Sequence, residues 1–169
     1  MNSILKKDIS RYNKKGEIPL FQVYFRKFQS SKGIMRSFYL VLFIFFKNIN
    51  HVELPKNTQI GEGLYIGHPY CITLNSKVII GRNCNIHKGV TIGQENRGDR
   101  KGTPIIGDNV WIGINSTIVG SIIVGNDVLI APNSFVNQDI PAHSVVFGNP
   151  CIIKHKDQAT ENYINRIVE

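Results

Sequence analysis

From Ile60 to Val136 the chain repeats a six-residue pattern: one aliphatic residue, often a glycine after it, then positions that are mostly polar or small. The aliphatic series runs Ile60, Ile66, Ile72 and Val78, slips by two residues, and continues at Ile80, Ile86 and Ile92. After an interruption it resumes at Ile106, Ile112, Ile118, Val124, Ile130 and Val136. Glycine follows at Gly61, Gly67, Gly81, Gly93, Gly107, Gly113 and Gly125. A free-standing strand alternates with period 2; a hexad keeps that alternation and adds a corner. Hexads of this persistence predict a parallel β-solenoid in which three short strands and three turns make one triangular coil. The aliphatic residues then point into the prism, and the small residues let the chain turn.

The flanks differ in kind. Residues 1–50 read as a basic helical N-terminal cap, residues 51–156 as the solenoid, and residues 157–169 as a short amphipathic C-terminal helix with Tyr163, Ile164, Ile167 and Val168 on one side. A solenoid of about five coils has two open ends that need caps or partner subunits. The apolar run from Phe38 to Phe46 has about half of the ~20 residues needed to span a bilayer. It is expected to pack under the end of the prism. Contact with the inner membrane face through residues 27–47 is the alternative, because Lys27, Lys32, Arg36 and Lys47 surround the aromatic run.

The net charge is +8, from 20 basic and 12 acidic residues. That balance suits a polyanion of any kind, a polyphosphate ligand included. No motif for reading nucleic acid accompanies it, so no nucleic-acid partner is expected. Cys71, Cys84 and Cys151 lack the paired spacing of a disulfide framework or zinc knuckle, and the polar, basic N-terminus is unlike a signal peptide, so a cytoplasmic setting is expected.

Functional residues are sought where the repeat breaks, since regular hexads are occupied with building the core. One break is the slip between Val78 and Ile80. The other is the extruded loop 94–105, polar and glycine-bearing, which inserts eight residues into a hexad. Ile66 and Ile86 are one coil apart in one column, so His68 and His87 should meet on one corner, as adjacent strands lie about 4.8 Å apart. A neutral imidazole there can take a proton from a hydroxyl or amine. Its other nitrogen needs an acceptor, and Glu53 lies within one coil of His68.

The hexads, the extruded loop, the string Asn109-Val110-Trp111-Ile112-Gly113 and the closing string from Asp139 to Pro150 resemble the hexapeptide-repeat acyltransferases of the left-handed β-helix class. The left hand is implied by that resemblance alone, since parallel crossovers are otherwise right-handed. Within the class, Gly61 to His68, Gly89 to Gly93 and Gly98-Asp99-Arg100 are similar to serine O-acetyltransferase. The resemblance implies His68 as general base, Glu53 in the place of its acidic partner, and Arg100 as the loop arginine that holds the substrate. Two departures are Gly67, where that family has Asp, and Lys101, where it has His. They shift the expected acceptor from serine to a carbohydrate hydroxyl, as in capsule and exopolysaccharide O-acetyltransferases. In sugar-directed relatives a His and the Trp of the VWIG segment are the functional pair, which makes His87 and Trp111 rivals to His68 and Glu53.

The resemblance further implies acetyl-CoA as donor. Its pantetheine arm would run beside Gly113, Ile114, Ala131 and Pro132, and its phosphates would meet Lys154, in a groove between subunits of a homotrimer. The expected function is therefore acetyl transfer from acetyl-CoA to a hydroxyl, with serine O-acetylation as the alternative. A non-catalytic scaffold or membrane adaptor is the alternative of another class. A zinc site of three histidines is not expected, because His68 and His87 have no evident third partner.

Overall fold

The protein, described here by a computed structural model of residues 3–169, is a parallel β-helix capped by helices at its N-terminal end. The helices are α1 (Ser3–Ser10), α2 (Leu20–Ser30) and α3 (Gly33–Ile49). The strands follow as β1 (Gln59–Ile60), β2 (Tyr65–Gly67), β3 (Thr73–Leu74), β4 (Ile79–Ile80), β5 (Asn85–His87), β6 (Thr91–Gly93) and β7 (Ile105–Ile106). After them come β8 (Val110–Ile112), β9 (Thr117–Val119), β10 (Ile123–Val124), β11 (Val128–Ile130), β12 (Phe135–Val136), β13 (Ser144–Phe147) and β14 (Ile152–His155). They sort into three faces of a prism. The first face is β1-β4-β7-β10, the second β14-β13-β11-β8-β5-β2, and the third β12-β9-β6-β3. Every pairing between these strands is parallel except β13 with β14, where the chain folds back along the last strand of the second face.

Each hexad points two residues inward, not one. Leu64 and Ile66, Ile72 and Leu74, Val78 and Ile80, Cys84 and Ile86, and Val90 and Ile92 are all buried. This moves the slip. Leu74 pairs with Ile92, Ile80 with Ile106, and Ile66 with Ile86, so the two extra residues lie in the turn between β2 and β3 and not between Val78 and Ile80. Ile72 and Val78 are the inward residues that precede β3 and β4, and reading them as strand centres hides the shift because an aliphatic residue occupies both positions. The stacking of Ile66 on Ile86 is as expected.

Corners between the first and second faces are tight. A Cβ on Gly61 would lie 2.6 Å from the Gly81 carbonyl carbon, and one on Gly81 would lie 2.5 Å from the Gly107 carbonyl oxygen. The next residues include Asn83, Asn109 and Asp127, all at positive φ, a conformation Asn and Asp tolerate better than most.

The open N-terminal end of the prism is closed by α2 and α3, whose Phe21, Phe25 and Phe43 continue the core formed by Val52, Leu54 and Ile60. A buried ion pair fastens this cap: Arg26 Nε donates to Asp8 at 2.8 Å, with side chains 1% and 0% exposed. Arg26 also donates to the carbonyl of Ile60, and Asp8 accepts from the backbone N–H of Leu64, so strand-end backbone groups are satisfied by side chains of the cap. The apolar helix α3, expected to pack under the prism, does so through one fully buried residue, Phe43.

No helix forms after β14. Gln158, Asn162 and Arg166 adopt positive φ, and a left-handed residue every four positions breaks any helix into separate turns. The tail instead runs back along the prism. Asp127 accepts from the N–H groups of Ala159 and Thr160 and from the Thr160 hydroxyl. Farther along, Asn85 donates to the carbonyl of Tyr163, and Asn83 exchanges hydrogen bonds with Val168. His143, unremarkable in the sequence, is joined to Asp127 through Nδ1 at 2.9 Å.

Candidate active site

The second and third faces meet at an edge where sequence-selected residues collect. Gly67 pairs with His87, and the ladder of Ile86 on Ile112, Ile112 on Ile130 and Ile130 on Val146 continues that column to Gly113, Ala131 and Phe147. The residues that follow each in the chain form the edge itself: His68, Lys88, Ile114, Pro132 and Gly148. The two-residue insertion widens this edge at its first coil, where His68 and Cys71 have φ of 53° and 55° and His68 is exposed. His68, His87 and four expected donor-binding residues, Gly113, Ile114, Ala131 and Pro132, therefore share one edge. Lys154 lies on β14 opposite Val145, with its ammonium 5.7 Å from the Phe147 ring centroid at the far end of the same column.

His87 is held rigidly. Its Nδ1 lies 2.9 Å from the carbonyl oxygen of Ile112. A carbonyl only accepts, so Nδ1 carries the proton and Nε2 keeps its lone pair. Burial lowers the His87 pKa below the ordinary imidazole value; the Ile112 bond opposes that shift, and the neighbouring His68 adds to it. The ring lies over Gly67, where a Cβ would be 2.6 Å from Cδ2 and 2.8 Å from Nε2. His87 thus occupies the space that a side chain at position 67 would need.

Trp111 completes an aromatic cluster on the second face, 4.7 Å from His87 and 5.1 Å from Tyr163 between ring centroids. With Tyr65, Asn85 and Arg166 these residues line a cavity of about 310 Å³. Its walls come from three separate segments, tied together by Arg11, which donates to Asn85 Oδ1 at 2.7 Å, to the Gly63 carbonyl and to the Asn165 carbonyl. Sequence reasoning missed Tyr65, Asn85, Tyr163 and Arg11. The available signal was Asn85, a polar residue on a regular strand that the fold buries to 5% exposure.

Other expected site residues lie elsewhere on the single chain. Glu53 pairs through its backbone with Thr73, its side chain is exposed, and no hydrogen bond or ion pair joins it to His68 among the described residues. It lines a cleft of about 420 Å³ with Lys47, His51 and Thr73. Arg100 and Lys101 are carried by the extruded loop, which Glu95 and Gly102 pin with reciprocal backbone bonds of 3.0 Å. Ser121 donates to the Arg100 carbonyl, and Glu95, Arg97, Asp99, Arg100 and Val119 line a cleft of about 490 Å³. The loop leaves the edge between the third and first faces, whereas His68 is on the edge between the second and third. One subunit alone therefore does not bring Arg100 and Lys101 to the edge that carries His68. Among the described residues no group of three His, Cys, Asp or Glu is placed to hold a metal ion.

Comparison with known proteins agrees with this architecture. Residues 103–138 match the family model described as bacterial transferase hexapeptide (six repeats). The chain is 35% identical over 106 residues to serine acetyltransferase of Staphylococcus aureus, covering 63% of this chain and 50% of that one. It spans about half the length of such curated relatives. Among solved structures, serine acetyltransferase of Brucella abortus superposes with a TM-score of 0.74 at 25% identity, covering 91% of this chain and 68% of the other. Soybean serine acetyltransferase in complex with serine gives 0.64 at 29% identity, over 80% and 54% of the two chains. The chain thus has the left-handed parallel β-helix fold, its residues 103–138 match the hexapeptide-repeat transferase model, and it is similar in sequence and in fold to serine acetyltransferases.

Proposed function

We propose that this protein transfers an acetyl group from acetyl-CoA to an acceptor hydroxyl at the edge between the second and third faces. The observation that carries the reading is the placement of His68 beside a neutral, tautomer-fixed His87 at the head of the column Gly113, Ala131, Phe147. His68, exposed at the widened turn, withdraws the hydroxyl proton as the oxygen attacks the thioester carbonyl. The tetrahedral adduct then expels CoA as a thiol, the proton passing from the imidazolium to the departing sulfur. The glycine-bearing wall along Gly113 and Ala131 lets the donor's pantetheine lie close to backbone, with Lys154 near its phosphates.

The names of the relatives support L-serine as the acceptor. A carbohydrate hydroxyl is the second reading, favoured by the aromatic cavity of Tyr65, His87, Trp111 and Tyr163 and by the His87 ring filling the space over Gly67. Apolar ring faces beside polar side chains suit the mixed surface of a sugar. A homotrimer accounts for the separation of the loop from His68, because a neighbouring copy can set its Arg100 and Lys101 against this edge.

Release of CoA thiol, measured with L-serine and with a panel of sugars and nucleotide sugars, tests both readings. His68→Ala is expected to lower turnover about 10²- to 10⁴-fold with the fold retained. If instead His68→Ala stays near wild type and His87→Ala is inactive, His87 is the base. The acidic limb of the rate profile then lies below the ordinary imidazole range, because His87 holds its lone pair to lower pH.

A further inference from the structure

Seven of the fifteen exposed large hydrophobic residues among the described residues lie on α3. Ile34, Phe38, Val41, Phe45 and Ile49 recur at helical spacing and are 85%, 53%, 65%, 58% and 54% exposed. Met35 and Ile44 widen the stripe. The opposite side of the helix is anchored: Phe43 is buried and its ring centroid lies 5.4 Å from that of Phe25. The cap is locked to the prism by Arg26, Asp8 and the Ile60 carbonyl, so the stripe is presented on a fixed element. A contiguous patch of this kind marks an interaction surface.

Charge indicates what covers it. Residues 20–49 contain no Asp or Glu, and besides Arg26, which is buried against Asp8, they include Lys27, Lys32, Arg36 and Lys47. Three of these lie over aromatic rings of the cap: Lys27 over Tyr24 and Tyr39, Arg36 over Phe28 and Lys47 over Phe43, at 4.4 to 5.8 Å from the centroids. With 17 residues, α3 is about 25 Å long, and no helix among the described residues is long and apolar enough to cross a membrane. Two-fold pairing of this face with a second copy is disfavoured, because it would bring basic segments together with no acid on either α2 or α3.

We propose that α3 lies in the headgroup layer of an anionic bilayer, its apolar stripe inserted and the cationic side chains of the cap drawn to lipid phosphates. The inference goes beyond acetyl transfer and does not depend on it.

Co-sedimentation of the full chain with vesicles tests it, using phosphatidylcholine alone and phosphatidylcholine with about one third phosphatidylglycerol. The expected result is at least about tenfold more protein bound to the anionic vesicles, diminished in 0.5 M salt by screening. Phe38→Glu with Phe45→Glu should abolish binding without shifting the melting temperature or particle mass. Lys27→Glu with Lys32→Glu should remove the preference for anionic lipid. Failure to bind either vesicle overturns the proposal, as does undiminished binding of the Phe38→Glu, Phe45→Glu variant. A fall in particle mass for that variant also overturns it, by showing the face to be an interface between copies.

Discussion

The contact between Gly67 and His87 is the most specific single constraint on the candidate site. Gly67→Ala places a Cβ where the imidazole now lies, so the ring must rotate away from Trp111 or the strand must shift. Overpacking of this kind costs about 1–3 kcal/mol. The same substitution made together with His87→Ala should cost clearly less, and a denaturant double-mutant cycle would show the coupling; additive costs would mean that the ring is not held there. The hexad register alone brings His68 and His87 together, so this part of the site was legible in the sequence. The tautomer of His87 was not, because the carbonyl that fixes it belongs to Ile112, a coil away in space and 25 positions along the chain. Nor was the independence of Glu53 and His68. Sequence spacing places them within one coil but says nothing of which way an exposed carboxylate turns.

At the scale of elements, the strands were readable because each inward position is aliphatic, and the C-terminal segment was misread for a related reason. Tyr163, Ile164, Ile167 and Val168 have helical spacing, yet a turn of four residues that steps along stacked coils produces nearly the same pattern. What decides is Asp127. Burial would raise its pKa, but the hydrogen bonds from the Thr160 hydroxyl and N–H, from His143 and from the Ala159 N–H prevail and hold the carboxyl below the usual carboxylate range. The unfolded chain then binds a proton at higher pH than the folded one. This contribution is present above the unfolded carboxylate pKa and is lost as pH falls through the lowered folded value. Asp127→Ala should destabilise by about 2 kcal/mol and flatten that acid-side loss in a melting-temperature series against pH. An unchanged profile would show that the tail is not clamped at this point.

The whole molecule depends on its end caps as much as on its coils. Asp8→Ala would leave the Arg26 guanidinium buried without its carboxylate and strand the Leu64 N–H, a change expected to cost about 3–5 kcal/mol in a urea titration. A small loss would mean that water reaches the pair. The prism, its single domain core and its extruded loop follow from the repeat, whereas the separation of that loop from His68 follows from which of three edges each occupies, which a linear count of hexads does not reveal. The tail has a consequence at this scale. In a solenoid each coil touches only its neighbours, so stability is close to a sum of local terms and the ends can fray one at a time. Here the chain, after reaching the last coil, returns to touch Asp127, Asn85, Asn83 and finally Lys7 of the first helix. That return stitch converts a linear stack into a closed circuit of contacts. Opening along the tail breaks contacts on several coils at once, and the molecule is expected to unfold as one cooperative unit where an untied stack would peel.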